Sequence, residues 1–378
     1  MRKKVTILQY RLLHYRVPFF ERLKLLLAER GVGIRLIHGQ ASPKEKEKND
    51  EGFIGWAERV ENKYLHIGDK DLCWQPLVSN LNDSNLIIVM QENRLISNYP
   101  LLLKRKFGGP LIAYWGHGKN LQSAVPDGFR EKWKRMLLSS VDWWFAYTSL
   151  TVDYLKKNGF PSERITCLNN SIDTLAFRDE LQQVSDVDMQ KVRQNFNINP
   201  DACLGLYCGS LYPDKKLDFL IGASDIIQNQ KPDYHLIVIG DGPSAGDIRV
   251  ACKSRPWLHW VGMRKGHEKA VFFKMAQIIL NPGLVGLHIL DSFCAGLPLI
   301  TTGNAKHSPE IAYLNNGING IISGNTASEY ADAVISLMKN KQRYQSISFA
   351  AQEASRIYTI DNMAQNFADG ICHCLESR

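Results

Sequence analysis

Short apolar runs recur along the chain at intervals that helical segments fill. KVTILQY at 4–10 is followed by PFFERLKLLLAE at 18–29, whose apolar residues fall at helical spacing and which stops at Gly31. GIRLIHG at 33–39, NLIIVM at 85–90, PLIAYW at 110–115, DWWFAYT at 142–148 and RITCLNN at 164–170 read as further strands, with a helical stretch around 101–106. Strands that alternate with helices predict parallel sheets covered on both faces.

After Asp173 a polar stretch, DELQQVSDVDMQKVRQ, reads as a surface helix rather than a core element. A fresh alternation then begins: CLGLYCG at 203–209, a helix from about Lys216, HLIVIGDG at 235–242, WLHWVG at 257–262, a helix near 267–276 and IILNPG at 278–283. A helix near 287–295 and the strands LPLITT and NGII complete it. Two doubly wound α/β units are the simplest account, one over 1–178 and one over 179–360, with the boundary between about 173 and 202. The amphipathic segment 361–378 is expected to return to the first unit.

Composition narrows the class. A length of 378 residues suits two domains, and 44% hydrophobic with 22% charged residues is ordinary for a globular chain. Met1-Arg-Lys-Lys is basic, but the apolar run behind it breaks at Gln9, so it reads as a strand and not a signal peptide. No run approaches the ~18 apolar residues of a membrane span. The eight cysteines lack zinc-ligand spacing and read as reduced core thiols, which fits a cytoplasmic location. The net charge of +8 is uneven: by count, roughly 28 Lys and Arg face roughly 18 Asp and Glu in residues 1–178.

Two such units facing one another would make a central cleft at the carboxyl ends of their strands. The first loop, Gln9 to Arg16, holds no glycine, so a nicotinamide dinucleotide fingerprint is absent, and so is a P-loop. The informative block is Asn281-Pro-Gly-Leu-Val-Gly-Leu-His-Ile-Leu-Asp-Ser-Phe-Cys-Ala-Gly-Leu-Pro298. Gly283 and Gly286 allow close approach to a ligand, and the amides of Gly286 and Leu287 at a helix start are placed for a phosphate. Asp291, one turn on, is a candidate acceptor for ribose hydroxyls.

This block resembles the donor signature of retaining glycosyltransferases of family 4, E-G-F-G-(x4)-E-A-M-A-x-G-x-P, a family of GT-B architecture. Asp291 falls on the second acid, which the resemblance assigns to the nucleotide ribose. Gly283 falls on the first Glu, which in the family contacts the donor sugar. Tyr207-Cys-Gly-Ser-Leu-Tyr-Pro-Asp-Lys215 is similar to the family's G-R-L-x-x-x-K, with Lys215 on the diphosphate lysine and Ser210 in place of the arginine. Arg16 and Arg264 are candidates to supply the missing cation. Trp260-Val-Gly-Met263 resembles the segment whose backbone meets the base, and Leu168-Asn-Asn-Ser-Ile-Asp173 the hinge. His117, in Trp115-Gly-His-Gly-Lys119, falls where the family has a histidine on the donor sugar; an isolated histidine there also serves as a structural donor. Lys119 and Arg16 are the candidates for the acceptor or phosphate side.

The resemblance implies a hexosyltransferase-type enzyme that moves a sugar from a UDP-sugar or GDP-mannose to a glycan or lipid-linked hydroxyl, with no metal ion or cofactor. That chemistry belongs to cell-surface polysaccharide or lipopolysaccharide synthesis. Two alternatives stand beside it: a nucleotide-sugar 2-epimerase of the same architecture, and a non-catalytic sugar-nucleotide-binding protein. Arg22 and Lys24, Lys104-Arg-Lys106, and Arg130, Lys132, Lys134 and Arg135 among Phe129, Trp133, Met136 and Leu137 give the first unit basic, partly apolar segments. These suit an anionic membrane surface, hence a peripheral location on its inner face, and equally a solvated helix face. No nucleic-acid-binding module is evident.

Overall fold

Continuous apolar runs set the strands of the first sheet, because a strand covered on both faces has no polar side to alternate with. In chain order these are β1 (Lys4–Gln9), β2 (Gly33–His38) and β3 (Glu58–Arg59), a hairpin of β4 (Lys63–Ile67) and β5 (Lys70–Trp74), then β6 (Leu86–Met90), β7 (Leu111–Gly116), β8 (Trp143–Ala146) and β9 (Ile165–Cys167). The sheet runs β3-β2-β1-β6-β7-β8-β9, parallel throughout. Val5 sits opposite Ile34 on one side and Leu86 on the other. The computed structural model describes residues 3–46, 50–68, 70–118 and 137–377. It divides the chain into one unit of residues 1–173 with 360–378 and a second of residues 174–359.

The first unit's core is closed by two helices. Val17–Glu29 buries Phe19, Phe20, Leu23 and Leu27, one stripe at helical spacing. The last helix, Ile360–Glu376, packs against it and buries Met363, Phe367, Ile371 and Cys374. Phe367 stacks on Phe145 with ring centroids 4.3 Å apart. Gly370 lets this helix lie directly on the sheet, because a Cβ there would stand 2.3 Å from Thr166 Oγ1. Arg22 is held by Asp173 and Asp361, and Arg30 by Asp369 at 2.7 Å.

The second unit repeats the plan with β10 (Cys203–Cys208), β11 (Tyr234–Ile239), β12 (Leu258–Gly262), β13 (Ile278–Leu280), β14 (Leu299–Thr302) and β15 (Gly320–Ser323). Its order is β12-β11-β10-β13-β14-β15, again all parallel. The strand order reverses at β1/β6 in the first sheet and β10/β13 in the second. Ligands of open parallel sheets bind beyond the carboxyl ends of the strands at such a reversal. In the second unit the loops that leave there are 209–216 and 281–288.

Several expectations are corrected. The boundary at 178/179 falls inside the helix Thr174–Gln183, which belongs wholly to the second unit. The polar stretch after Asp173 is two helices and not one, because Ser185 breaks it and caps Asp186–Asn195 in a capping box with Asp188. The first of the two is no mere surface helix: Phe177 is buried, edge-on to Phe273 with centroids 5.1 Å apart. The first unit's cations are also less free than their sequence density implies. Arg105 makes two 2.7 Å hydrogen bonds to Asp142, and Lys24 lies over the Trp56 ring. The basic residues Arg130, Lys132, Lys134 and Arg135 lie outside the described residues.

Candidate functional site

The two loops at the β10/β13 reversal are fastened to each other. The N–H of Leu284 donates to Asp214 O at 3.0 Å, and a Cβ on Gly283 would stand 2.3 Å from the carbonyl carbon of Lys215. Gly283 therefore does not provide the close approach to a ligand that the sequence led us to expect; the backbone of 214–215 takes that space. The position that carries an acid in the family signature has no room for a side chain on this backbone.

Lys215 is 8% exposed, and its ammonium donates to Leu284 O at 2.6 Å. Burial pulls its pKa down to about 8, with Asp214 acting in the opposite direction. No carboxylate pairs it among the described residues, so this is a desolvated cation held by a carbonyl, a poor resting state that an anion improves. Lys216, in the left-handed region at φ 53°, turns outward and donates to Asn304 Oδ1 at 2.6 Å.

Two histidines brace the cradle in neutral form. The N–H of Val285 donates to His307 Nδ1 at 3.1 Å, so Nε2 carries the proton and donates to Thr302 O at 2.9 Å. Asn281 Nδ2 donates both to Leu284 O at 3.0 Å and to His288 Nε2 at 2.6 Å. Burial, then Lys215 and Lys269, hold the His288 pKa well below its usual value. His288 thus links the Lys215 side of the site to the Lys269 side. Thr302 Oγ1 closes the back of the loop by donating to Pro282 O at 2.6 Å.

Past Val285 the backbone changes character. The N–H groups of Gly286, Leu287 and His288 meet no acceptor among the described residues, and a Cβ on Gly286 would find nothing nearer than 3.6 Å. Three consecutive unbonded amides at a turn into a helix are donors that an anion could satisfy, a candidate cradle. The helix behind them, Ile289–Cys294, starts two residues later than expected and carries Asp291. Asp291 is 6% exposed and pairs with Lys269 Nζ at 2.7 Å. Burial opposes the Lys269 charge, but Asp291, with Cys208 and Cys294, holds its pKa above the usual value. The Lys269 ammonium also lies 4.2 Å from the centre of the Phe177 ring.

The other residues singled out from sequence divide by unit. Ser210, at the end of β10, is exposed, with its carbonyl accepting from Tyr207 OH at 2.9 Å. Met263 is exposed just past β12, and Arg264 makes an exposed pair with Glu268 at 3.3 Å instead of turning to the Lys215 loop. In the first unit Arg16 is 5% exposed, with its guanidinium against the rings of Tyr15, Trp115 and Tyr147. His117 follows β7, is exposed, and stands edge-on to the same Tyr147 ring at 4.2 Å. Arg16 and His117 are thus brought together at the carboxyl end of the first sheet. Lys119 lies outside the described residues.

Sequence reasoning missed Lys269, His288, His307 and Asn281. Lys269 had one available signal, a lone cation within the apolar GHEKAVFF turn of a helix. The bracing histidines had none, because their partners are backbone groups.

Residues 203–340 match the sequence family described as Glycosyl transferases group 1. Alpha-monoglucosyldiacylglycerol synthase of Acholeplasma laidlawii is 21% identical over 184 residues, which span 47% of this chain and 45% of that protein, so about half of each is matched. Among solved structures, Anabaena HepE in complex with UDP-glucose superposes with a TM-score of 0.67 at 15% identity, covering 98% of this chain and 99% of that one. Sucrose-phosphate synthase of Thermosynechococcus elongatus gives 0.70 at 12% identity, covering 100% of both. At these identities the likeness shows the fold alone, which is GT-B: α/β with parallel, Rossmann-like domains.

Proposed function

With residues 203–340 forming a glycosyl transferases group 1 domain, we propose that the chain transfers a hexosyl group from a UDP-sugar to a hydroxyl of a glycan or lipid-linked acceptor, with retention at the anomeric carbon. The observation that carries this reading is the pairing, in one loop system, of a desolvated Lys215 ammonium with the three unbonded amides of 286–288. Leaving-group charge develops on the β-phosphate as the glycosidic bond breaks. Donors already fixed in place stabilise that charge without reorganising. Asp291, one oxygen of which is paired with Lys269, has a second oxygen for ribose hydroxyls.

The acceptor oxygen attacks from the face the diphosphate leaves and passes its proton to a phosphate oxygen, so no protein base is required. A metal ion is not part of the proposal, because Lys215 and the amides supply the positive charge. UDP is favoured over GDP because the Anabaena neighbour holds UDP-glucose. A lipid acceptor is in keeping with the name of the Acholeplasma relative. Among the described residues no helix is long and apolar enough to cross a membrane. A peripheral membrane position draws instead on Leu103 and Phe107, exposed beside Lys104 and Lys106.

Thermal denaturation with UDP, UDP-glucose, GDP and GDP-mannose tests the donor assignment, since a ligand that binds the folded state raises its melting point. The UDP compounds are expected to raise it in the wild type and not in Lys215→Met. A chain that no nucleotide stabilises, or that Lys215→Met leaves equally stabilised, contradicts the proposal.

A further inference from the structure

At the carboxyl end of the Ile289–Cys294 helix, whose other end follows the amides of 286–288, the second unit has a recess of about 540 Å³. Its walls are the helix Thr174–Gln183, the end of Gly266–Met275, the turn Ala295–Leu297 and the helix Lys341–Ile357. The volume is that of a small-molecule pocket. Every charged side chain on its wall is a cation: Arg178, Lys274 and Arg356. Arg356 is shared with Glu353 on its own helix, at 3.3 Å, and is largely solvated.

Arg178 and Lys274 are different. Neither meets a carboxylate among the described residues. Arg178 donates from Nη2 to Ser355 Oγ at 3.2 Å and also bonds the Cys294 thiol, and Ser355 in turn donates to Gln352 O at 2.7 Å. Both partners are neutral, so the five-donor guanidinium fork keeps free donors and an unbalanced charge at the recess wall. A helix C-terminus accounts for a lysine at position 274, but Arg178 is in mid-helix and has no such reason. Phe273 and Leu297 supply an apolar floor, and the Ser348 hydroxyl is used in donating to Gly296 O.

We propose that this recess binds a small phosphate ester, with Arg178 as a bidentate donor, Lys274 as a second cation and the phosphate's organic body on Phe273 and Leu297. The site is separate from the Lys215 loops and does not depend on the donor assignment. Unlike-charge balance is otherwise missing from the recess, and a dianionic phosphate is the group that a planar fork and an ammonium recognise together.

The test is a calorimetric titration of glycerol phosphate and inorganic phosphate into the full chain, alone and saturated with UDP. Binding should persist under UDP and weaken about tenfold or more in Arg178→Gln with Lys274→Gln, as loss of charge-assisted bonds requires. The exposed Gln352→Glu variant, which adds a carboxylate to the wall without touching Arg178's helix, should weaken it as well. Binding that UDP abolishes, or that all the variants retain, overturns the proposal. So does binding only to phosphatidylglycerol vesicles with no response to the free esters, which would assign the phosphate to a lipid headgroup. A failure of UDP to bind at all, with the Arg178-dependent titration intact, would fault the donor assignment and leave the recess standing.

Discussion

A buried ammonium whose only partner among the described residues is a carbonyl is placed to titrate as well as to meet the proposed diphosphate. With its pKa drawn down to about 8 by burial, Lys215 is charged below that pH and neutral above it. Diphosphate affinity should therefore be full near pH 7 and about tenfold weaker at pH 9. Lys215→Arg, which stays charged, should flatten that profile in a calorimetric titration of UDP across the range. Stability moves the other way. The unfolded lysine, with a pKa near 10.5, holds its proton between about pH 8 and 10.5 while the folded one does not, so the fold gains stability as pH rises through that window. Gly283 makes a second residue-scale prediction. With a Cβ placed 2.3 Å from the Lys215 carbonyl carbon, Gly283→Ala forces the loops apart and should cost about 1–3 kcal/mol in denaturant unfolding. An unchanged midpoint would mean the loops are not fastened as described. The sequence showed that position 283 lacks the family's acid, but not why. The reason is a backbone contact between segments 68 residues apart, and no residue pattern carries that.

At the scale of elements, the strands were legible because a parallel strand buried on both faces is a continuous apolar run, and almost every such run is a strand. The hairpin β4–β5 was not, since KYLHI and KDLCW mix charged and apolar residues and Leu65 and Ile67 remain exposed. The break at Ser185 was written in the sequence as a Ser-x-x-Asp capping box inside a polar stretch. The last helix shows how much an amphipathic pattern conveys: its stripe was visible, whereas its aromatic contact was not. Phe367 sits among Phe19, Trp115 and Phe145, at 5.4, 5.0 and 4.3 Å between centroids. Phe367→Ala should cost about 3–5 kcal/mol of first-unit stability. Calorimetric melting would show this as a lowered transition, and a wild-type melting profile would refute the helix's place in that core.

For the molecule as a whole, the two-sheet plan and the likeness to GT-B structures agree, and the matched family covers residues 203–340 within the unit in which the candidate cradle lies. What sequence supplied was the motif spacing, Lys215 to Gly286 to Asp291. What it could not supply was the neutral histidine bracing, the Lys269 pair and the loop fastening on which the proposed anion site rests. The most direct test of that site is the amide 1H–15N correlation spectrum of the full chain during a UDP titration. The account predicts that the Gly286, Leu287 and His288 cross-peaks move furthest and saturate, and that they stay in place in Lys215→Met. Cross-peaks of 286–288 that remain fixed while amides elsewhere respond to UDP would contradict it.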